Sequence, residues 1–135
     1  MMHGWIGVDF DGTLATYDKW VSASHVGEPI APMVERVKRW LAEGREVRIF
    51  TARIWPIVTV VRPGEVIQAG PLTPRMKEAL EAVEAIQRWS GLHLTHVLPI
   101  TCVKDFGMVE LYDDRAVQVL ANTGEIVGQS TRGLL

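Results

Sequence analysis

The chain has 135 residues, 47% of them hydrophobic and 22% charged, and its 14 basic and 16 acidic side chains leave a formal charge of -2. A chain of this length forms one domain and buries roughly two thirds of the surface its unfolded form exposes, and the charge balance gives no electrostatic case for sequence-independent nucleic-acid binding. Cys102 is the only cysteine, which excludes an internal disulfide and a cysteine zinc cluster and suits a reducing, cytoplasmic compartment.

In chain order, Trp5, Ile6 and Val8 make a short β-type run that stops at Asp9. Residues 14–30 are too polar and aperiodic for a regular element, although Tyr17, Trp20 and Val21 are suited to folding over something nearby. From Pro32 the period changes. Met33, Val34, Val37, Trp40 and Leu41 fall on one helical face, with charged residues opposite and Gly44 placed to end the helix. A second strand, "EVRIF", ends at Thr51, so that strand, helix and strand make a right-handed βαβ unit with parallel strands. Residues 54–72 break the expected march into another helix. The β-branched run 57–61, the Pro63–Gly64 turn and the run 65–68 predict a small β-hairpin-like insertion. These apolar residues are out of place in a solvated loop, so the insertion is expected to cover the site as a lid or to pair in a homodimer, with pairing favoured.

Helical periodicity resumes behind Thr73, a good N-cap followed by Pro74, and Met76, Leu80, Val83, Ile86 and Trp89 carry the stripe to Gly91. "HVLPIT" and "MVELY" are two more strands, and 116–128 predicts a terminal hairpin around Asn122-Thr123-Gly124. The longest stretch without Asp, Glu, Lys or Arg, 89–103, holds serine, histidine and proline, so neither a signal peptide nor a membrane span is expected. Residues 1–135 thus read as a single α/β domain, a three-layer α/β/α sandwich on a mainly parallel, Rossmann-like sheet, with no large cap domain.

In such sheets ligands bind outside the carboxyl ends of the strands. Four sequence points lie there: Asp9 with Asp11, Thr51 with Arg53, Lys104, and Asp113 with Asp114. Like charges one residue apart repel, and a shared divalent cation removes that repulsion. The alternative for Asp9 and Asp11 is a capped strand-end turn, which the matching pair at 113 and 114 disfavours.

"DFDGT" at 9–13, a threonine ending the second strand, a lysine after the third and paired aspartates after the fourth resemble the four motifs of the haloacid dehalogenase-like superfamily, mostly phosphatases. The short chain, "TAR" and "YDDRAVQV" look especially similar to small phage and bacterial members related to the phosphatase half of phage polynucleotide kinase. The resemblance implies a Mg²⁺-dependent phosphatase acting on a phosphate monoester. Asp9 is then the nucleophile that becomes an aspartyl-phosphate, and Asp11 the acid and base. Asp9, the main-chain carbonyl of Asp11 and Asp113 would hold Mg²⁺, with Asp114 an outer partner or alternative ligand. Thr51 and Lys104 would serve the phosphoryl group, and the candidate substrate-binding residues are Gly12, Thr51, Ala52, Arg53 and Lys104. An aspartate at 11 points to ester hydrolysis, since a leaving halide needs no proton.

Blander readings stand beside these. Arg53 either holds a second phosphate or, slightly favoured, pairs with Glu28 or another carboxylate. Lys77, amid Glu78, Glu81 and Glu84, is a solvated helix-face residue. His25, His93 and His96 lack ligand spacing, and Cys102 is a small core filler. Two alternative functions remain: a nucleotide or polynucleotide 3′-phosphatase, opposed by the lack of a basic surplus, and a non-catalytic phosphate- or metal-binding module.

Overall fold

The computed structural model describes residues 4–68 and 70–128. Its elements are strand β1 (Trp5–Asp9), helix α1 (Ala31–Ala42), strand β2 (Glu46–Phe50), a 3₁₀ turn (Ala52–Ile54), helix α2 (Pro74–Leu94), and strands β3 (Ile100–Thr101) and β4 (Met108–Tyr112). The four strands form one sheet in the order β3-β2-β1-β4, and every neighbouring pair is parallel. The chain is therefore a mixed α/β structure on a parallel sheet, as the βαβ reading requires.

Local chemistry sets the helix ends. Pro32 lies in the first turn of α1, and beyond Glu43 the chain turns at Gly44 with φ +79, a left-handed conformation that glycine adopts without a Cβ penalty. The Thr73 hydroxyl accepts the Met76 N–H at 3.1 Å and caps α2. That helix runs past Gly91 to Leu94. Leu94 is fully buried, and the Ser90 hydroxyl donates to the His96 carbonyl and accepts the Leu98 N–H, fastening the last turn to the strand that follows.

Alternation along the strands gives the sheet two unlike faces. Ile6, Val8, Val47 and Ile49 join Val34, Val37 and Trp40 of α1 and Ala79, Val83, Ile86 and Trp89 of α2 in one core. The two helices also touch each other, which helices on opposite faces of a sheet cannot do. The expected third layer is not seen among the described residues, where both α-helices cover one face. The other face carries Trp5, Gly7, Arg48 and Leu111. Arg48 lies over the Trp5 ring at 4.5 Å, and Asp105 accepts from both Trp5 Nε1 (2.7 Å) and Arg48 (3.3 Å). Those bonds hold the Asp105 carboxyl below its usual range, the Trp5 indole contributing most. Asp105 belongs to the 102–107 connection, which crosses from β3 at one edge to β4 at the other, three strand spacings or about 14 Å. A connection that short has no room for a helix.

The hairpin expected within 54–72 is not formed by the described residues of that stretch. Val61 instead exchanges two hydrogen bonds with Ile100 (2.8 and 2.9 Å), an isolated antiparallel bridge beside β3. Ile57 and Val61 are buried in the core, and the Ile57 carbonyl accepts from the Cys102 thiol. Ile57 and Val61, two of the apolar residues that suggested a lid or a dimer strand, are therefore covered by their own chain, whereas Val58 stays exposed. Ile57→Ala is expected to cost about 2–4 kcal/mol through the cavity it leaves, whereas Val58→Ser at a half-exposed position should cost little; urea unfolding of both variants separates these roles. The terminal hairpin is present as the Val119–Ile126 bridge, with Asn122 and Gly124 both at positive φ in its turn.

Candidate active site

The parallel pairing brings the ends of β1, β2 and β4 to one edge of the sheet, where a cleft of about 630 Å³ opens. Asp9, the last residue of β1, and Asp113 and Asp114, just beyond β4, each place a carboxylate oxygen within 4.8 Å of the others. Val8 pairs with Tyr112, and that register is what sets the two chain ends side by side.

The loop after β1 is shaped around this cluster. The Thr13 hydroxyl lies 3.2 Å from an Asp114 oxygen and 3.4 Å from an Asp9 oxygen, and it accepts the Asp114 N–H at 3.1 Å. Gly12 has φ +86, and a Cβ there would stand 2.6 Å from the Asp114 carboxylate. The positive φ favours glycine here, and any larger residue would also push the Asp114 carboxylate aside. The Asp113 carboxylate accepts the Arg115 N–H at 2.9 Å, which orients it at the start of the turn.

Electrostatics follow from the crowding. Burial, then the hydrogen bond shared with Asp114, then the charges of Asp113, Asp114 and Asp11 push the Asp9 carboxyl up to about 8. Without a counter-charge Asp9 therefore keeps its proton at neutral pH. The residues fit a hard divalent cation: three oxygen donors converge, and their mutual repulsion is what such a cation relieves.

Asp11 lies apart from this cluster. Its two carboxylate oxygens accept from Arg53 Nε (2.7 Å) and Nη2 (2.9 Å) in a bidentate pair. The carboxylate partner foreseen for Arg53 is thus Asp11, not Glu28. Thr51 is buried at the end of β2, and its hydroxyl accepts the Arg53 N–H at 3.2 Å, leaving the hydroxyl proton available to a ligand oxygen. Ala52 also lines the cleft.

Lys104 does not line the cleft; it is exposed on the 102–107 connection, which turns away over the second face. Arg75 lines it instead. Its guanidinium donates to the carbonyls of Trp55 (2.6 Å) and Arg53 (2.7 Å) and lies 3.8 Å from Glu78. Sequence reasoning passed over Arg75 in favour of lysines. The signal was its place in the first turn of the crossover helix after β2, since such helices begin at the sheet edge where ligands bind. Tyr17 and Trp20 line the cleft too, in keeping with a segment 14–30 that folds over something nearby. His25, His93 and His96 are not among its lining residues.

No protein-family model, curated protein or solved structure matches the chain in comparison with known proteins. Among the described residues no helix is long and apolar enough to cross a membrane.

Proposed function

We propose that this chain is a Mg²⁺-dependent phosphatase of haloacid dehalogenase-like type that hydrolyses a phosphate monoester through an aspartyl-phosphate on Asp9. The observation that carries the reading is the convergence of Asp9, Asp113 and Asp114 at the carboxyl edge of a parallel sheet, beside Thr51 and Arg53. A cation bound by the three carboxylates would supply charge neutralisation for nucleophile and phosphoryl group together.

The chain's own residues then divide the work. Asp9, once deprotonated, attacks phosphorus and holds the phosphoryl group as an acyl phosphate. Thr51 donates its hydroxyl to a phosphoryl oxygen; Asp11, after taking a proton from solvent on one oxygen and giving up the Arg53 bond there, passes that proton to the departing alkoxide and regains one from the attacking water. Arg75 is better placed than Lys104 to offset the charge gathered on the phosphoryl oxygens. Replacing a donor that stabilises developing charge costs about 10²–10³ in rate, so Arg75→Ala should lower kcat by about that factor and Lys104→Ala should leave it nearly unchanged. A large loss in Lys104→Ala with little change in Arg75→Ala would return that role to Lys104.

The direct test is turnover of nitrophenyl phosphate with and without Mg²⁺, joined to a thermal-shift measurement. A ligand that binds only the native state raises its melting temperature by mass action. Mg²⁺ at one hundred times its dissociation constant should stabilise by about 2.7 kcal/mol, and Asp113→Ala should remove the shift. A Mg²⁺-dependent shift without turnover would instead favour a metal-binding module.

A further inference from the structure

Segment 16–28 is a loop closed at its neck. The Thr16 N–H donates to the Glu28 carbonyl (2.8 Å), the Glu28 N–H returns to the Thr16 hydroxyl (3.1 Å), and Trp89 Nε1 donates to the Gly27 carbonyl (3.0 Å). A Cβ on Gly27 would overlap the Thr16 carbonyl, so the two ends lie in direct contact. Compact loops pinched in this way are frequently functional. Its far end is held differently. Arg53 Nη1 donates to the carbonyls of Ala23 (3.1 Å) and Ser22 (3.4 Å), and the guanidinium lies 5.0 Å from the centre of the Trp20 ring. The same guanidinium makes the bidentate pair with Asp11, and the Arg53 side chain is only 7% exposed. One planar group thus ties the loop tip to the carboxylate that the phosphatase reading makes the proton donor. Tyr17 and Trp20 line the cleft and remain 40% and 47% exposed, so their rings are accessible from it, and aromatic faces of this kind stack on flat partners.

We propose that residues 16–28 are the substrate-selecting cover of the cleft, that Tyr17 and Trp20 grip a planar ring on the leaving group, and that Arg53 is the positioning residue that latches the cover. The substrate class is a phosphate monoester of a ring-bearing alcohol, with an aryl group and a nucleobase as the two sources of the ring. Selection thereby falls to this loop and not to 54–72, whose Ile57 and Val61 are committed to the core. The inference rests on the phosphatase reading only for its rate measurements.

Two matched substrate pairs test it, 2-phenylethyl phosphate against glycerol phosphate and a nucleoside 5′-monophosphate against ribose 5-phosphate, each pair sharing one kind of alkoxide leaving group. The wild-type chain should prefer the ring-bearing member of at least one pair by tenfold or more in kcat/KM, and the pair with the larger preference identifies the ring. Trp20→Ala, at an exposed position that the fold tolerates, should reduce that preference at least fivefold, mainly through KM, with less effect on the ring-free member. Arg53→Gln should speed amide hydrogen exchange across 17–25 at least tenfold while amides of β1 and α2 keep their protection. Calorimetric binding of the same four compounds reads the ring contrast without turnover, so the cover is tested even if the chain has no phosphatase activity. No ring preference in binding, an unchanged preference in Trp20→Ala, or unchanged exchange at 17–25 in Arg53→Gln overturns the proposal.

Discussion

Asp9→Asn is expected to lower turnover by about 10⁴-fold or more, the scale seen when a nucleophile that acts within a unit is removed, and at the same time to stabilise the metal-free protein at pH 8. The two effects share one cause. The folded-state carboxyl titrates near 8 against an ordinary value of 3.8, so between those values the unfolded chain gives up a proton that the native state keeps. Native stability therefore falls as pH rises through that window, and above about 8 this group adds no further slope. Partial exposure of Asp9 reduces the effect to on the order of 2 kcal/mol, or about 5–10 °C in melting temperature. Asparagine carries no charge at any of these pH values and its amide can donate to Asp114. Melting curves from pH 5 to 8 in a chelator should slope downward for the wild type and be flatter for Asp9→Asn. Saturating Mg²⁺ should remove much of the wild-type slope, because a bound cation supplies the counter-charge that the proton otherwise provides. Identical slopes in the two proteins would locate the pH dependence elsewhere, and retained turnover in the variant would falsify the phospho-Asp9 mechanism.

Much of this architecture is legible in the sequence because it depends on local chemistry. Asp9 stops an apolar run, Thr73–Pro74 opens a helix, and Gly44 closes another, and each device acts within one turn of chain. The acid cluster is legible for a less local reason: parallel strands bring their carboxyl ends to one edge whatever their order in the chain. What escapes are contacts set by long-range geometry. Lys104 comes soon after β3, but the short crossing to β4 carries it over the second face and away from the cleft. Periodicity cannot say on which face of a sheet a helix lies, so a two-helix layer looks like two layers. The β-branched run 57–61 suits pairing within a hairpin, whereas the free edge of β3 offers Val61 a partner sooner, at Ile100. Arg53 illustrates both sides: its place after Thr51 marks it as a site residue, but only the fold brings Asp11, Ser22 and Ala23 around one guanidinium.

That clasp shapes the expectation for Asp11→Asn. The nucleophile and the three-acid cluster remain, so Mg²⁺ should still raise the melting temperature, but an amide can neither deliver a proton to the leaving oxygen nor take one from water. General acid–base catalysis is worth about 10²–10⁴ in rate, and hydrolysis of an alkyl phosphate should fall by that factor. Nitrophenolate leaves without a proton, so formation of the aspartyl-phosphate from nitrophenyl phosphate should be much less impaired. The later attack by water still lacks its base, and a burst of nitrophenol equal to the enzyme present, followed by slow turnover, is the expected trace. The substitution also deprives Arg53 of a counter-charge while its side chain is 7% exposed. Breaking one side of a buried pair is destabilising, so the variant should melt below the wild type without metal, and rates are to be compared well below that temperature. Should alkyl and nitrophenyl phosphates lose the same factor with no burst, Asp11 does not carry the proton, and its pairing with Arg53 is then a structural tie that holds the loop after β1 against the cover.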